Sequence, residues 1–404
     1  MSWGNVAIED IAQVKGGKRL PKGHDFISHP TPYPYIRARD IGGGKIELKE
    51  HVYLSEETHN QIKRYIVNKD DVVITIVGAN VGDAGYVQEN LDGANLTENA
   101  AKLVVDKSKF NPYFLKLYLS TERCKKRLAF IASGAAQGKL GLYKIKTFPV
   151  SNPPLDVQKK IVDIVQSYDD LIENNKRRIE LLEESARQLY KEWFVRFRFP
   201  GHEHVKIIDG VPEGWEKKTI SEISSFLSRG MTPKYDDEGK YIVINQKCIR
   251  NRALSLDLIR RQSKDFKKEK LVQNGDVLIN STGTGTLGRV AQCWIDIKDC
   301  TVDTHVTIVR PNADICSYWF GYCLMELETI FEGMGEGATN QKELKRDLVG
   351  ALNVLSPASS LQSEFQDIIS SNIKQISNLV EQNKNLIRAR DLLLPRLMNG
   401  EIKV

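Results

Sequence analysis

The stretch Asp71-Val-Val-Ile-Thr-Ile-Val-Gly78 recurs 205 residues later as Asp276-Val-Leu-Ile-Asn-Ser-Thr-Gly283. Each starts on an acid, runs through aliphatic and β-branched residues and closes on glycine, the pattern of a short strand bounded by turns. Twenty-eight residues past each Asp comes a second apolar run, Asn99-Ala-Ala-Lys-Leu-Val-Val105 and Thr304-His-Val-Thr-Ile-Val-Arg310. Upstream, Trp3 is followed by Ile8, Ile11 and Pro21, and Trp215 by Ile220, Ile223 and Pro233, at the same offsets of 5, 8 and 18. Tyr35-Ile36 matches Tyr241-Ile242. Downstream, Gly134-Ala-Ala-Gln137 mirrors Gly337-Ala-Thr-Asn340, and Pro153 to Gln158 mirrors Pro357 to Gln362. This order and spacing mark a two-fold duplication with a period of about 205 residues, not a solenoid.

Each copy has two parts. The first mixes short β-like runs (Asp71–Val77 and Lys102–Val105; Asp276–Ile279 and Val306–Val309) with turn-rich joints, and Pro112 to Leu128 and Ile315 to Phe331 read as helices packed on them. The second part is one long helix. Ile161, Tyr168, Asn175, Leu182 and Leu189 are seven apart, and Val165, Ile172, Ile179, Ala186 and Trp193 lie four behind. The second copy repeats this with Ile369, Ile376, Asn383, Arg390 and Leu397, and with Ile373, Val380, Ile387 and Leu394. Such a seam predicts a coiled coil, and an Asn in its third layer both times, Asn175 and Asn383, is a register-setting polar residue. At about 1.5 Å per residue each helix is roughly 50 Å long. Paired antiparallel, the two would hold the globular parts apart as a rigid rod; the alternative is two helices packed on separate domains. The expected fold class is α+β: two similar mixed α/β domains at 1–152 and 215–356. Long helices at 153–199 and 357–404 are expected to form an antiparallel coiled coil, and 200–214 reads as an irregular linker bounded by Pro200-Gly201 and Pro212-Glu-Gly-Trp215.

The chain has 404 residues, 41% hydrophobic and 27% charged, which excludes a mostly disordered protein. No run of about 18 apolar residues is present, which argues against a membrane span, and the first ten residues do not read as a signal peptide. Six cysteines without a CxxC pair argue against a disulfide framework or zinc ribbon and favour a reducing cytoplasm. The net charge of +6 is mild, too mild to identify a nucleic-acid binder alone. Its placement says more: residues 1–152 carry 22 Lys/Arg against 16 Asp/Glu, and Lys247 to Lys270 holds nine bases and three acids.

Catalytic signals are weak. Gly283-Thr-Gly285-Thr-Leu-Gly288 has the GxGxxG spacing, but a strand-like run, Arg289 to Ile295, follows where a dinucleotide fold needs a helix, so it reads as a β-turn. Asn152-Pro-Pro-Leu155 resembles the Asn-Pro-Pro-aromatic loop of amino-methyltransferases, yet Leu155 cannot stack on a base, and both this segment and Leu355-Ser-Pro-Ala358 read as lead-ins to the long helices. His202-Glu-His204 lacks a helical frame and a third ligand, so no metal site is assigned. Asp70, Asp71 and Asp276 read as solvated or turn-bonded acids. The chain reads as non-catalytic, with no cofactor of its own.

Two divergent modules on a spacer suggest two-site reading of an extended ligand. Candidate contacts lie on turns: Lys18, Arg19, Lys22, Arg37, Arg39, Asn80, Gln137 and Lys139 in the first copy. In the second they are Arg229, Lys234, Asn245, Gln246, Lys247, Arg250, Thr284, Arg289, Asn340, Gln341 and Lys342. Arg pairs bidentately with guanine and Asn or Gln with adenine, whereas Lys more often holds phosphate. Trp-x4-Ile-x2-Ile, Gly275-Asp276-Val-Leu-Ile (Asp70-Asp71 in the first copy), Gly-Ala-x-Gln/Asn and Pro-x4-Gln, repeated in order over essentially the whole chain, resemble the specificity subunit of type I restriction-modification systems. That resemblance implies a host-defence role: two target-recognition domains, 1–152 and 215–356, and two conserved helices, together reading an asymmetric double-stranded DNA site in two parts with an unread gap. It implies two methylation subunits as partners, transferring methyl from AdoMet to adenine N6, and restriction subunits that translocate DNA with ATP and Mg. Asn340 in place of Gln137 keeps an amide but leaves the base read open. A coiled-coil scaffold that binds proteins, and a methyltransferase using Asn152-Pro-Pro, are the competing readings.

Overall fold

The computed structural model describes residues 3–48, 50, 52–133, 138–337 and 342–404. The chain forms two compact units, Met1–Asn174 with Gln382–Val404, and Asn175–Glu381. The divisions fall inside both long helices, because each helix gives one half to the core of each unit.

The duplication is built as two copies of one topology. In the first unit a four-stranded antiparallel sheet runs in the order Ala12–Gly16, Ala100–Val105, Val72–Thr75, Ala84–Tyr86. In the second the order is Ser224–Arg229, Val306–Pro311, Val277–Asn280, Val290–Gln292. The duplicated stretch is the third strand in that order, buried on both faces, which is why it reads as continuous rather than alternating hydrophobicity. Beside each sheet sits a parallel pair, Tyr35–Ile36 with Asn95–Leu96, and Tyr241–Ile244 with Cys300–Val302. The second of these gains an antiparallel strand, Arg260–Gln262. The register corrects one sequence match. Ile36 accepts from Thr97 N, and Ile244 accepts from Asp303 N at the same point of the crossing, so Tyr35-Ile36 corresponds to Val243-Ile244, two residues beyond Tyr241-Ile242. A shift of two keeps the same face of a strand, so the apolar pattern does not reveal it.

Two helices expected to be continuous are each broken in two: Pro112–Leu119 and Glu122–Ser133, then Ser317–Glu326 and Glu328–Gly333. At the first break Ser120 and Thr121 hydroxyls donate back to the Lys116 and Tyr118 carbonyls, and Thr121 Oγ1 then accepts from Cys124 N. Such local bonds compete with helix propagation. The acids also differ from expectation. Asp71 and Asp276 do make the turn bonds, from Asn68 N and Gln273 N, but both are buried, and each faces a cation: Lys102 at 3.7 Å and Arg310 at 2.7 Å. Burial pushes the Asp71 carboxyl up. Asp70 sits at a left-handed turn (φ 72°) paired with Lys107. The segment 200–214 is not irregular throughout: it holds a helical turn at His202–His204 and a hairpin pairing Ile207–Ile208 with Val211–Pro212. Phe194, Phe197 and Phe199 close around Trp215 with ring centroids 5.3–5.9 Å apart.

One buried glutamine joins each module to its long helix. Gln158 Oε1 accepts from Asn111 N and its Nε2 donates to Pro153 O, at 2.8 and 2.9 Å. Gln362 repeats this with Cys316 N and Pro357 O, at 2.9 and 3.0 Å. Asn111 and Cys316 are the N-caps of the module helices Pro112–Leu119 and Ser317–Glu326, so each side chain ties two helix starts together where backbone groups would otherwise lack partners.

The first long helix, Leu155–Tyr190, continues through a π-helical turn, Lys191–Val195. Its seven-residue spacing appears as burial: Ile161, Val165, Ile172, Asn175, Ala186 and Trp193 are buried. In the second, Ser359–Met398, Ile369, Asn383 and Leu397 are buried. Val380 and Ile387 are instead 40% and 39% exposed, while their neighbour Leu379 is 4% exposed and Leu386 half-buried. With 3.6 residues per turn, positions three and four along both border the seam, and adjacent aliphatics leave periodicity unable to choose between them. Within each unit the helices run antiparallel. In the first, Arg390 Nη1 meets Asp169 Oδ1 at 2.6 Å, and Leu397 and Met398 join the core of Ile161, Val162 and Val165. In the second, Tyr190 and Trp193 pack on Phe365.

Two outcomes follow. Gln362→Leu strands an N–H and a carbonyl in the core and should cost about 2–4 kcal/mol; a change below about 0.5 kcal/mol in urea unfolding would contradict the proposed joint. Lys116 is buried with its Nζ 4.2 Å over the Tyr113 ring. Burial pushes its ammonium down from 10.5 to about 8, against the attraction of Asp169. A lysine whose folded value lies below its unfolded one stabilises more as pH climbs through that window. Lys116→Met should therefore stabilise at pH 7, by at most about 3 kcal/mol, and abolish that part of the rise between pH 8 and 10.5. Urea midpoints that change with pH just as they do in the parent chain would refute the assignment.

Candidate nucleic-acid interface

In each copy some of the candidate residues lie where the parallel strand pair ends. Gly17 and Gly230 lie against its exit: a Cβ on Gly17 would sit 2.0 Å from Thr97 O, and one on Gly230 2.2 Å from Asp303 O. Only glycine admits this approach, which carries the following residues, Lys18-Arg19 and Met231-Thr232, across the strand ends. Lys18 N accordingly bonds Leu96 O, and Met231 N bonds Val302 O.

In the first copy the exit is crowded with ions. Lys18 is exposed, its Nζ 5.8 Å above the Tyr65 ring, and Lys22 is exposed nearby in sequence. Arg19 meets Glu98 at 3.6 Å. Arg37, at the end of the strand, binds Asp40 at 3.2 Å and Glu50 at 3.0 Å, and Arg39 binds the same Glu50 at 2.5 Å. Burial opposes the Arg37 charge, but its hydrogen bonds to Asp40 and Glu50 outweigh that and raise its pKa. Glu50 is held below the usual carboxylate range by the Arg37 hydrogen bond and the Arg39 charge. Asn80 is exposed on the turn after Val72–Thr75, and Lys139 is exposed beside Leu140, whose N–H bonds Ile76 O. Gln137 lies outside the described residues.

In the second copy the same place is an open cleft of about 510 Å³. Asn245, Gln246 and Lys247 line it together with Tyr235 and Arg260, and Asp303, Thr304 and His305 follow the strand end. Asn245 is structural as well as local to the cleft: its Oδ1 caps Lys247 N and its Nδ2 donates to Leu258 O. Gln246 holds Asn280 Nδ2 through its carbonyl, and Lys234 and Lys247 are exposed. His305 Nδ1 shares a 2.5 Å hydrogen bond with Thr282 Oγ1. Burial pushes the Asp303 carboxyl up, against a bond from His305 N. The Gly283–Gly288 turn runs beside Gln246 and ends on the strand Val290–Gln292, not on a helix. Thr284 is exposed on it, and Arg289 folds back onto Gly285 O at 2.8 Å. Arg229 is tied to Glu343 at 2.6 Å and to the Ser281 and Leu344 carbonyls. Lys342 is exposed beside Glu343; Asn340 and Gln341 lie outside the described residues. Arg250 stands apart, on the ribbon of Ile249–Arg250 and Ala253–Leu254.

Tyr235, Arg260 and His305 are cleft residues that motif reading passed over. The basic run Lys247 to Lys270 contained the signal for Arg260; nothing in the local sequence pointed to Tyr235. Both faces present cations and amides on strand ends and turns. Among the described residues no group of three or more His, Cys, Asp and Glu side chains forms a metal site, and no helix is long and apolar enough to cross a membrane.

The family described as type I restriction modification DNA specificity domain matches residues 1–184 and again 212–389. The chain is 24% identical over 421 residues to the type I restriction enzyme MjaIX specificity subunit of Methanocaldococcus jannaschii, covering 100% of this chain and 94% of that one. It is 22% identical over 475 residues to the HindI specificity subunit of Haemophilus influenzae, covering 99% of each. Its fold is similar to the crystal structure of the type I restriction-modification S subunit from M. genitalium, with a TM-score of 0.58, 18% identity, and coverage of 98% and 96% of the two chains. With one match on each structural repeat, the chain belongs to the family of type I restriction-modification DNA specificity domains.

Proposed function

We propose that this chain is the sequence-reading subunit of a type I restriction-modification complex. Each module reads one half of an asymmetric two-part DNA site, and the long helices set the unread gap between the halves. The chain itself is non-catalytic and binds no cofactor. Methylation subunits, two per complex, use AdoMet to modify adenine N6, and restriction subunits use ATP and Mg. The assembly works in the cytoplasm. The observation that carries this reading is one recognition face built twice, at the strand exits beyond Gly17 and Gly230, with different side chains on each copy. A shared frame with divergent contacts is what two unlike half-sites require. A protein-binding scaffold has no reason to place cations and amides at the same turns of both copies.

Replacing residues 215–356 with the matching module of a relative should change one half of the methylated motif and leave the other half and the gap intact. Single-molecule mapping of N6-methyladenine reads this directly, and a change in both halves would overturn modular reading. Glu50 neutralises two arginines of the first face. Glu50→Gln should therefore steepen the dependence of log affinity on log salt by about one unit. Anisotropy titrations at several salt concentrations that give an unchanged slope would remove those arginines from the phosphate contacts.

A further inference from the structure

The arginines of the two faces are not equivalent. Arg19, Arg37, Arg39 and Arg229 each bind a carboxylate, and Arg289 binds a carbonyl of its own turn. Arg260 is different. Its guanidinium lies 3.5 Å from the centroid of the Tyr235 ring, and among the described residues no carboxylate lies within ion-pair distance of it. The support is built into the sheet. Tyr235 pairs with Gln262 across one edge of the strand Arg260–Gln262, while Val243 pairs with Arg260 across the other. Both side chains line the cleft with Asn245, Lys247 and His305.

An aromatic platform orients a planar cation without neutralising it. A guanidinium over a ring, with no carboxylate partner, has donors to offer a planar acceptor pair, and in the DNA major groove that pair is O6 and N7 of guanine. We propose that Arg260, held by Tyr235, is the guanine-reading residue of the second module. The proposal rests on the DNA-reading function above and adds the base and the residue. The first module places Val52 in the corresponding position, its carbonyl accepting from Tyr35 N, so the effect is confined to one half-site.

The test compares N6-methyladenine maps from the complete methylating complex carrying the parent chain, Arg260→Gln, Arg260→Lys or Tyr235→Leu. We expect one guanine, in the half-site assigned to residues 215–356 by module exchange, to become degenerate in Arg260→Gln. Preference at that position should fall roughly ten- to a hundredfold. Arg260→Lys should relax the same position, since an ammonium lacks the paired donors, and Tyr235→Leu should relax it partially. The unaltered half-site is the internal control for folding. An unchanged motif in Arg260→Gln overturns the proposal, as does a uniform fall in methylation with no position relaxed, which marks a phosphate contact. If the parent complex methylates no two-part site, the DNA-reading function fails, and this assignment fails with it.

Discussion

The structure depends on a buried glutamine used twice. Gln158 and Gln362 each satisfy the N–H of a module helix's capping residue and a proline carbonyl just ahead of the long helix. An amide offers one acceptor and two donors at fixed angles, so these bonds fix where each long helix leaves its module. The pairing of Asn5–Ala7 with Pro149–Ser151, and of Glu216–Thr219 with Asn353–Ser356, brings the first strand of each module back to the same exit. Loss of either glutamine would remove these directional bonds from the exit, and the apolar contacts beside them resist separation but specify direction poorly.

The recognition face follows a similar economy. One glycine per copy lets the chain cross the end of a parallel strand pair, and the residues delivered there differ between the copies. In the first copy Arg37, Arg39, Asp40 and Glu50, after the strand Tyr35–Ile36, form an ion network and neutralise one another. In the second, Asn245 replaces an arginine at the cap position and Arg260 rests on an aromatic ring, which leaves a cleft. Side chains that hold the frame are tied to carboxylates and carbonyls. Those available to a ligand are exposed lysines, turn amides and one ring-supported guanidinium.

The duplication, the sheet strands and the two long helices were legible in the sequence, because buried strands and heptad seams leave strong periodic marks. Details set by local competition were not. Leu379 rather than Val380 enters the seam, and Ser120 and Thr121 break a helix whose apolar pattern runs on. Gln158 and Gln362 stood out as a repeated position, but a single residue does not announce which backbone groups it will reach. The candidate contacts were found as a set, yet their division into frame and free residues was hidden. Glu50, Glu98 and Glu343 neutralise Arg39, Arg19 and Arg229 from 11, 79 and 114 residues away in the chain. Tyr235 carries no motif; its bridge to Gln262 and its place under Arg260 give it a role.

In the proposed function one face, built twice, meets two different halves of one DNA site. Photocrosslinking tests it most directly. A photoreactive amino acid replaces Lys18 in one preparation and Lys234 in another, each is assembled with its methylation subunits on the methylated site, and the crosslinked nucleotides are mapped. Crosslinks are expected from Lys18 in one half-site and from Lys234 in the other, on either side of the unread gap. Crosslinks from both positions to the same half-site, or from neither position to DNA in an assembled complex, would contradict the proposed function.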